Sequence, residues 1–220
     1  MSIRHHVSDD LLVSYAAGSL SEGWSLLVAT HLALCPRCRS RNRSAEAIGG
    51  WMLDCAGAEP VATGSLASVM ARITDANPLQ SQQRGCAEST PCSHDLPEPL
   101  RGYAGGELAE LGWRRVGFTA ARVEIKTGDP ETQVRLLRFP PGMEVPEHGH
   151  GGRELTLILF GSLHDGGCVF ERGDVADVDE TVEHTPKAGP ETGCVCLAVT
   201  NSPLRFRSLA LRLVRPILGI

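Results

Sequence analysis

The first 75 residues carry apolar side chains at intervals of three and four, which is the spacing of one face of an α-helix. This pattern predicts helices over residues 8–18, 21–35, 36–52 (interrupted near residues 49–50) and 65–74. The fourth segment is too short to be stable by itself in water. We therefore expect its apolar face to dock, either onto its own domain or onto another protein. That face consists of Leu66, Val69, Met70 and Ile73.

The pattern changes after residue 76. Residues 77–98 are rich in proline, glutamine and serine, which predicts a flexible linker. Beyond it, apolar and polar positions alternate in segments that predict strands over residues 114–125, 133–139, 154–160, 169–178, 193–199 and 204–209. Short strands at this density favour a sandwich or a small barrel. The chain is thus expected to be an α+β protein with a helical domain at 1–76, a linker at 77–98 and a β domain at 99–220, in which the apolar end at 211–220 covers a sheet face or an interface.

The composition limits the classes of function. Hydrophobic residues make up 42% of the 220 and aromatic residues 5%, so the cores are expected to be mostly aliphatic. The net charge of −5 argues against non-specific binding to nucleic acid. No signal-peptide pattern is present, and no apolar run approaches the roughly 20 residues that cross a bilayer. We therefore expect a cytoplasmic protein with no membrane contact, whose cysteines are mostly reduced or metal-bound.

Histidine and cysteine at ligand spacing follow the second predicted helix. His31, Cys35 and Cys38 lie at i, i+4 and i+7, so they can converge if the turn between them is tight. Imidazole and thiolate are the ligands that zinc prefers, and a structural zinc site takes four of them. His5 and His6 are adjacent candidates for the fourth ligand, of which we favour His6. The alternative is that the cysteines are merely buried small residues and that the histidine belongs to the core.

A second group of candidate ligands lies in the alternating half. The chain contains Gly142-x5-His148-x-His150-x3-Glu154-x6-Gly161, which matches the first cupin motif at every fixed position. Residues two apart on a strand point to the same side, so both histidines can face a barrel interior, where the glutamate on the paired strand can meet them. These ligands suit zinc, iron, manganese or nickel, and they do not name the metal.

The second cupin motif is only partly present. His184 stands where the fourth ligand is expected, and Gly173 is also in place. However, Asp179-Glu180-Thr181 replaces the expected Pro-x-Gly, and Ala188 stands where the usual asparagine falls. The sequence therefore predicts a metal-bearing cupin, which is a double-stranded β-helix or jelly-roll barrel, and leaves the geometry of the turn before His184 open.

Two further cysteines, Cys194 and Cys196, lie on a predicted strand with both thiols on one side. If that side is the barrel interior, the thiols lie near the metal and could sense oxidants. The alternative is two small buried residues in an aliphatic strand. The other candidates are expected to be bystanders or solvated surface residues: Arg37, Arg39, Arg41, Arg43, Cys55, Cys86, Cys92, His94, His164, Asp165 and Cys168.

The pattern H…H-x3-C-x2-C across short helices resembles the zinc-binding anti-sigma domain. The opening Ile3-Arg-His-His-Val-Ser-Asp, the segment Tyr15-Ala-Ala-Gly and the segment Ala29-Thr-His-Leu-Ala-Leu-Cys are similar to the ChrR group of these proteins. Proteins of this group join the zinc-binding domain to a C-terminal cupin, which agrees with the order of the two motifs in this chain.

This resemblance implies an anti-sigma factor that inhibits transcription rather than an enzyme. Its zinc-tied helical bundle would bind a sigma factor of the extracytoplasmic-function (ECF) type in a 1:1 heterodimer, with the apolar face of the fourth helix adding contacts. The cupin would be required for release in response to oxidative stress, with singlet oxygen and organic peroxides as the signals of the group. The alternative function is a metal-dependent cupin dioxygenase or isomerase with an accessory zinc domain. A zinc protein that binds DNA directly is disfavoured by the acidic charge balance.

Overall fold

The computed structural model describes residues 2–75, 96–117 and 119–202, together with the backbone of residues 205–206. The helices within these ranges are α1 (Asp9–Ala16), α2 (Glu22–Leu34), α3 (Pro36–Asp54), α4 (Ser65–Asp75) and α5 (Glu98–Ala104). The first four lie where the sequence predicts them, and α5 was not predicted. Among the helices described, none is both long and apolar enough to span a bilayer.

The helix ends follow from local sequence, with one correction. Ser8 and Ser21 occupy the N-cap positions of α1 and α2, although neither side chain makes a capping hydrogen bond. Pro36 is the first residue of α3, where its missing N–H costs nothing. The predicted interruption near Gly49 and Gly50 is wrong, because α3 continues through both residues. A glycine inside a helix costs only about 1 kcal/mol relative to alanine, which a helix can absorb.

The β half forms two antiparallel sheets. Its strands are β1 (Arg114–Val116), β2 (Ala120–Ile125), β3 (Gln133–Phe139), β4 (His148–Gly149), β5 (Glu154–Asp165), β6 (Cys168–Glu171), β7 (Val175–Val178), β8 (Glu183–His184), β9 (Lys187–Ala188), β10 (Cys194–Thr200) and β11 (Arg205–Phe206). The larger sheet has the order β1-β2-β3-β10-β5-β6, and β7 and β9 also pair with β5. The smaller sheet has the order β11-β4-β8. Helices followed by this β-sandwich confirm the predicted α+β, cupin-like fold class.

Glycines with positive φ decide where several strands begin and end. Two segments predicted as single strands are broken this way, at Gly117 between β1 and β2 (φ +61°) and at Gly173 between β6 and β7 (φ +91°). In contrast, β5 continues past Gly161 to Asp165, five residues beyond the predicted end. The predicted linker up to residue 95 and the apolar end from residue 211 lie outside the described residues.

The helices and the larger sheet share one hydrophobic core. Leu11 and Leu27 of the helices are buried in the same cluster as Leu136, Leu157 and Leu197 of the sheet. α2 lies so close to β3 that a Cβ at position 23 would collide with side chains of β3 and the loop before it. Each fully buried leucine contributes about 1.5–3 kcal/mol relative to an exposed one. The two halves of the chain are therefore packed together and are not merely tethered.

A second, smaller core lies inside the β half. It contains Ile158, Leu163 and Ala188 together with Cys194 and Cys196. Successive side chains of a strand point to opposite faces, so β10 contributes Leu197 and Val199 to the shared core and its cysteines to this inner one. The face of β10 that carries the cysteines is thus turned away from the helices.

Candidate metal sites

The structure brings His6, His31, Cys35 and Cys38 together in a first cluster. One ligand atom from each of these residues lies within 4.8 Å of the others. Nδ1 of His6 is 3.4 Å from Sγ of Cys35 and 3.4 Å from Sγ of Cys38. Of the two adjacent histidines that the sequence left open, His6 is therefore the one that lies in the cluster.

The junction between α2 and α3 shapes this cluster. His31 lies in the last turn of α2, and Cys35 stands between the helices with extended backbone angles (φ −106°, ψ 103°). Pro36 then starts α3, which places Cys38 in its first turn. The main-chain N–H of Cys38 donates to Sγ of Cys35 at 3.4 Å. The short spacing in the sequence thus becomes a tight corner in which both thiols face the N-terminal segment.

Burial and hydrogen bonding prepare the side chains of the first cluster to bind a cation. His31 is fully buried, and its Nδ1 donates to the main-chain carbonyl of Gly173 at 2.9 Å. Its Nε2 is buried and has no hydrogen-bond partner among the described residues. Burial lowers the pKa of His31 to about 4, so the ring is neutral near pH 7. An unpartnered imidazole nitrogen beside two thiols fits a metal ion.

The thiols of the first cluster support the same conclusion. Burial, as the main cause, and the neighbouring Cys35, as the second, raise the pKa of Cys38 to about 12. A thiolate at this position therefore needs a nearby positive charge to be stable. Metal ligation supplies such a charge and releases the thiol protons. Cys35 and Cys38 are 1% and 0% exposed, so bulk water cannot stabilise a thiolate charge on either residue. Two thiols and two imidazoles whose ligand atoms lie within 4.8 Å of one another are a donor set that suits a structural zinc site.

A second cluster consists of His148, His150 and His184. His148 on β4 is paired directly with His184 on β8, and His150 follows β4 by one residue. Nε2 of His184 lies 3.0 Å from Nε2 of His150 and 3.1 Å from Nε2 of His148. Burial, together with the other two imidazoles, lowers the pKa of His150 to about 4. Three imidazoles that converge through Nε2 also fit a metal ion.

Two of these imidazoles are oriented from their other ring nitrogen. Nδ1 of His148 donates to the carbonyl of Pro146 at 2.8 Å. Nδ1 of His184 donates to the carboxylate of Asp165 at 2.6 Å. The prediction that Asp165 is solvated is wrong, because β5 extends to this residue and places it, with 16% of its side chain exposed, against His184. An alternating pattern followed beyond Gly161 would have kept Asp165 on the strand and pointed to it.

Glu154 lies beside the second cluster rather than among its three nitrogens. Its Oε2 is 3.7 Å from Nδ1 of His150, a buried nitrogen with no hydrogen-bond partner among the described residues. Burial raises the pKa of Glu154 to about 7, and a hydrogen bond from Thr156 partly opposes the shift. The carboxyl group is thus close to half-protonated near neutral pH, at a position adjacent to a candidate ligand.

Cys194 and Cys196 lie on the same side of β10, as the strand pattern predicts. Both are 1% exposed. A hydrogen bond between the two thiols, together with burial and the charge of Glu154, raises the pKa of Cys196 well above its usual value. A protonated, buried thiol is a weak nucleophile. In the described residues the exposed free cysteines are Cys55 and Cys168.

The apolar face predicted for α4 is exposed in the structure. The exposed fractions are 76% for Leu66, 49% for Val69, 53% for Met70 and 63% for Ile73. The end of α3 adds further exposed apolar side chains, which are Ile48, Trp51, Met52 and Leu53. An exposed apolar surface of this kind marks a site of interaction with another protein.

The fold and the two clusters define a class of protein: a cupin domain packed against a helical unit with its own candidate His/Cys metal site. A family model described as the ChrR cupin-like domain matches residues 105–203. The chain is 44% identical over 220 residues, the full length of both chains, to Anti-sigma-E factor ChrR of Cereibacter sphaeroides. It is also similar to a chain in the crystal structure of Rhodobacter sphaeroides SigE in complex with the anti-sigma ChrR, with a TM-score of 0.77 and 42% sequence identity. The match covers 90% of this chain and 99% of the chain in that crystal structure.

The chain therefore belongs to the ChrR family of anti-sigma factors. This membership confirms the predicted class of regulatory protein and decides against the alternative of a cupin dioxygenase or isomerase. It also confirms the resemblance that rested on the histidine and cysteine motifs.

Proposed function

We propose that this chain binds an ECF-type sigma factor in a 1:1 complex and keeps it from RNA polymerase. The observation that carries the proposal is the similarity, over 90% of this chain, to a ChrR protein that has been crystallised with SigE. The protein itself needs no contact with DNA, in keeping with its net charge of −5. Because its partner acts on transcription, the place of action is the cytoplasm.

The surface for the sigma factor consists of the exposed face of α4 and the end of α3. Leu66, Val69, Met70 and Ile73 would enter apolar grooves of the partner, as the anchors of an amphipathic helix do. Trp51, which is 67% exposed, adds an aromatic side chain of the kind that dominates binding energy at interfaces. Burial of these side chains in the complex would remove a surface that is unfavourable in water.

The metal of the first cluster is zinc in this proposal. Two thiolates and two imidazoles are a common ligand set of structural zinc sites, and a bound zinc ion would supply a cross-link among them. His6 would hold the N-terminal segment, His31 the end of α2, and Cys35 and Cys38 the start of α3. The ligands thus set the angle between helices that must fit the sigma factor.

The second cluster is proposed to bind zinc or another divalent metal such as iron, manganese or nickel. His148, His150 and His184 would be ligands. Glu154 is proposed as the fourth from the cupin motif, and it lies beside this group, with its Oε2 3.7 Å from Nδ1 of His150. This site, together with Cys194 and Cys196, would be required for release of the sigma factor under oxidative stress from singlet oxygen or organic peroxides. Release requires only that the modified protein bind the sigma factor less tightly than the unmodified one.

The proposal is tested by comparing two cysteine variants in complex with the cognate sigma factor. Cys38→Ser removes a ligand of the first cluster, whereas Cys55→Ser removes an exposed thiol outside it. We expect Cys38→Ser to lose both its zinc and its inhibition of sigma-dependent transcription in a purified system. Cys55→Ser should behave as wild type. Full inhibition by a zinc-free Cys38→Ser protein would contradict the structural role of this cluster.

A further inference from the structure

A turn of the cupin domain contacts His31 of the first cluster and the backbone immediately before His6. It consists of Gly173 and Asp174, between β6 and β7. The carbonyl of Gly173 accepts the Nδ1 hydrogen of His31 at 2.9 Å. The positive φ of Gly173 favours glycine, and a Cβ there would also collide with the side chain of Ile3. Only glycine therefore lets this carbonyl and the N-terminal segment come so close together.

Asp174 holds the chain immediately before His6. It is 1% exposed, and its Oδ1 accepts the main-chain N–H groups of Arg4 at 2.7 Å and His5 at 2.8 Å. The main-chain N–H of Val175 donates to the carbonyl of His5 at 3.1 Å. The residue before His6 is thus fixed through both its N–H and its C=O. Residues 2–8 belong to no helix or strand, so the position of His6 depends on how the backbone beside it is held.

The same turn is attached to the strand that leads to the second cluster. The N–H of Gly173 donates to the carbonyl of Ile158 at 2.8 Å, and the N–H of Ile158 donates to the carbonyl of Asp174 at 3.0 Å. Ile158 lies on β5, which also carries Glu154 and Asp165. The turn therefore has a rigid support that belongs entirely to the cupin domain.

We propose that Asp174 is a positioning residue for the first metal cluster, so that this site is shared between the two domains. Asp174 fixes the backbone that carries His6, while the adjacent Gly173 carbonyl sets the ring orientation and tautomer of His31. Hydrogen bonds behind metal ligands typically change metal affinity by about 10–100-fold when they are lost. The inference rests on the proposed metal occupancy of the first cluster.

The test is a Co²⁺ titration of the full chain, followed through thiolate-to-cobalt charge-transfer absorption. This absorption reports on the first cluster, because Cys35 and Cys38 supply thiolates there whereas the second cluster is made of imidazoles. We expect Asp174→Ala to weaken Co²⁺ binding about tenfold or more and to alter the ligand-field spectrum. Asp174→Asn keeps an acceptor for the N–H groups of Arg4 and His5 but not one for the N–H of Glu171. Its loss of Co²⁺ affinity should therefore be smaller than that of Asp174→Ala.

Asp177→Asn is the matched control. Asp177 also belongs to a contact between the domains, in which it accepts hydrogen bonds from Arg153, whose guanidinium also donates to Asp10 and Ser8. None of these residues is a ligand of the first cluster, so Asp177→Asn should bind Co²⁺ like the wild type. An equal loss in Asp174→Ala and Asp177→Asn would mean that general docking of the domains is responsible, and the proposal would be overturned.

The remaining outcomes are also decisive. Wild-type affinity in a folded Asp174→Ala protein overturns the positioning role. If circular dichroism shows that Asp174→Ala does not fold, Asp174→Asn decides, since weakened binding supports the proposal and unchanged binding overturns it. A wild-type chain that gives no charge-transfer absorption contradicts the metal assignment itself, which separates a failure of the proposed function from a failure of this inference.

Discussion

Three of the five histidines in the two clusters are oriented by a hydrogen-bond acceptor at Nδ1. His31 donates to a carbonyl, His148 to a carbonyl and His184 to the carboxylate of Asp165. Each of these bonds places the proton on Nδ1 and leaves Nε2 as the ligand atom. A carboxylate partner also makes the imidazole a stronger ligand, so Asp165 is expected to matter more than either carbonyl.

This expectation gives a prediction for Asp165. Asp165→Asn replaces the ionised acceptor of His184 and should weaken metal binding at the second cluster by about 10–100-fold. Competition of the full-length protein with a chromophoric chelator measures this affinity. Glu180→Gln is the control, because it removes one acidic charge at an exposed position on the same domain. Equal affinities in Asp165→Asn and Glu180→Gln would show that the bond to His184 does not orient the ligand.

At the scale of elements, the helices divide into those that build a site and those that present a surface. The corner between α2 and α3 places three ligands, and both helices also contact the rest of the protein. By contrast, α4 exposes every apolar residue of its predicted face. The sequence left open whether this face docks onto its own domain or onto another protein. Its exposure in the structure favours the second alternative.

A charge introduced on the exposed face of α4 should therefore affect binding and not folding. We expect Met70→Glu to weaken the complex with the sigma factor by at least about 2 kcal/mol, the size of an interface hot spot. Ser68→Glu introduces the same charge on the opposite side of this helix and should bind as wild type. Titration calorimetry measures the affinities, and thermal unfolding checks stability. If both variants bind equally well, the apolar face of α4 is not the contact surface.

At the scale of the whole molecule, the shared core joins the helical unit to the cupin domain. Leu27 of α2 is fully buried in the same cluster as Leu136 and Leu157. Further contacts cross the same boundary, including the hydroxyl of Tyr103, which donates to Glu22 at 2.7 Å. A structure packed in this way should unfold as one unit rather than domain by domain.

The shared core predicts a specific response to truncation of Leu27. Leu27→Ala should lower the free energy of unfolding by about 2–5 kcal/mol. Leu66→Ala, at a position that is 76% exposed, should change it by no more than about 0.5 kcal/mol. Urea unfolding followed by helical circular dichroism and by tryptophan fluorescence should give coincident transitions. A helical signal that is lost before the fluorescence changes would contradict a single cooperative core.

Local patterns determined much of the architecture. The three-to-four spacing located the first four helices, and alternation located the principal strands, because each pattern reports which face of an element is buried. Ligand spacing likewise identified His31, Cys35 and Cys38, since a single corner of the chain brings them together. The two cupin motifs identified His148, His150 and His184 through their fixed distances from glycines. In all these cases the informative residues are neighbours in sequence or belong to a recognisable motif.

Contacts between distant segments were decided only by the tertiary structure. His31 and Gly173 are 142 residues apart, and Arg4 and Asp174 are 170 apart, so no periodicity relates them. The same reason explains why the sequence suggests separate domains joined by a linker. Asp165 is a different case, because the strand pattern continued beyond Gly161 would have placed it on β5. The sequence by itself determined which residues can bind metal, because it contains both the types of ligand residue and their spacing. Only the tertiary structure decided which groups hydrogen-bond to those ligands and to the backbone beside them, because that depends on how the helical unit packs against the β-sheet.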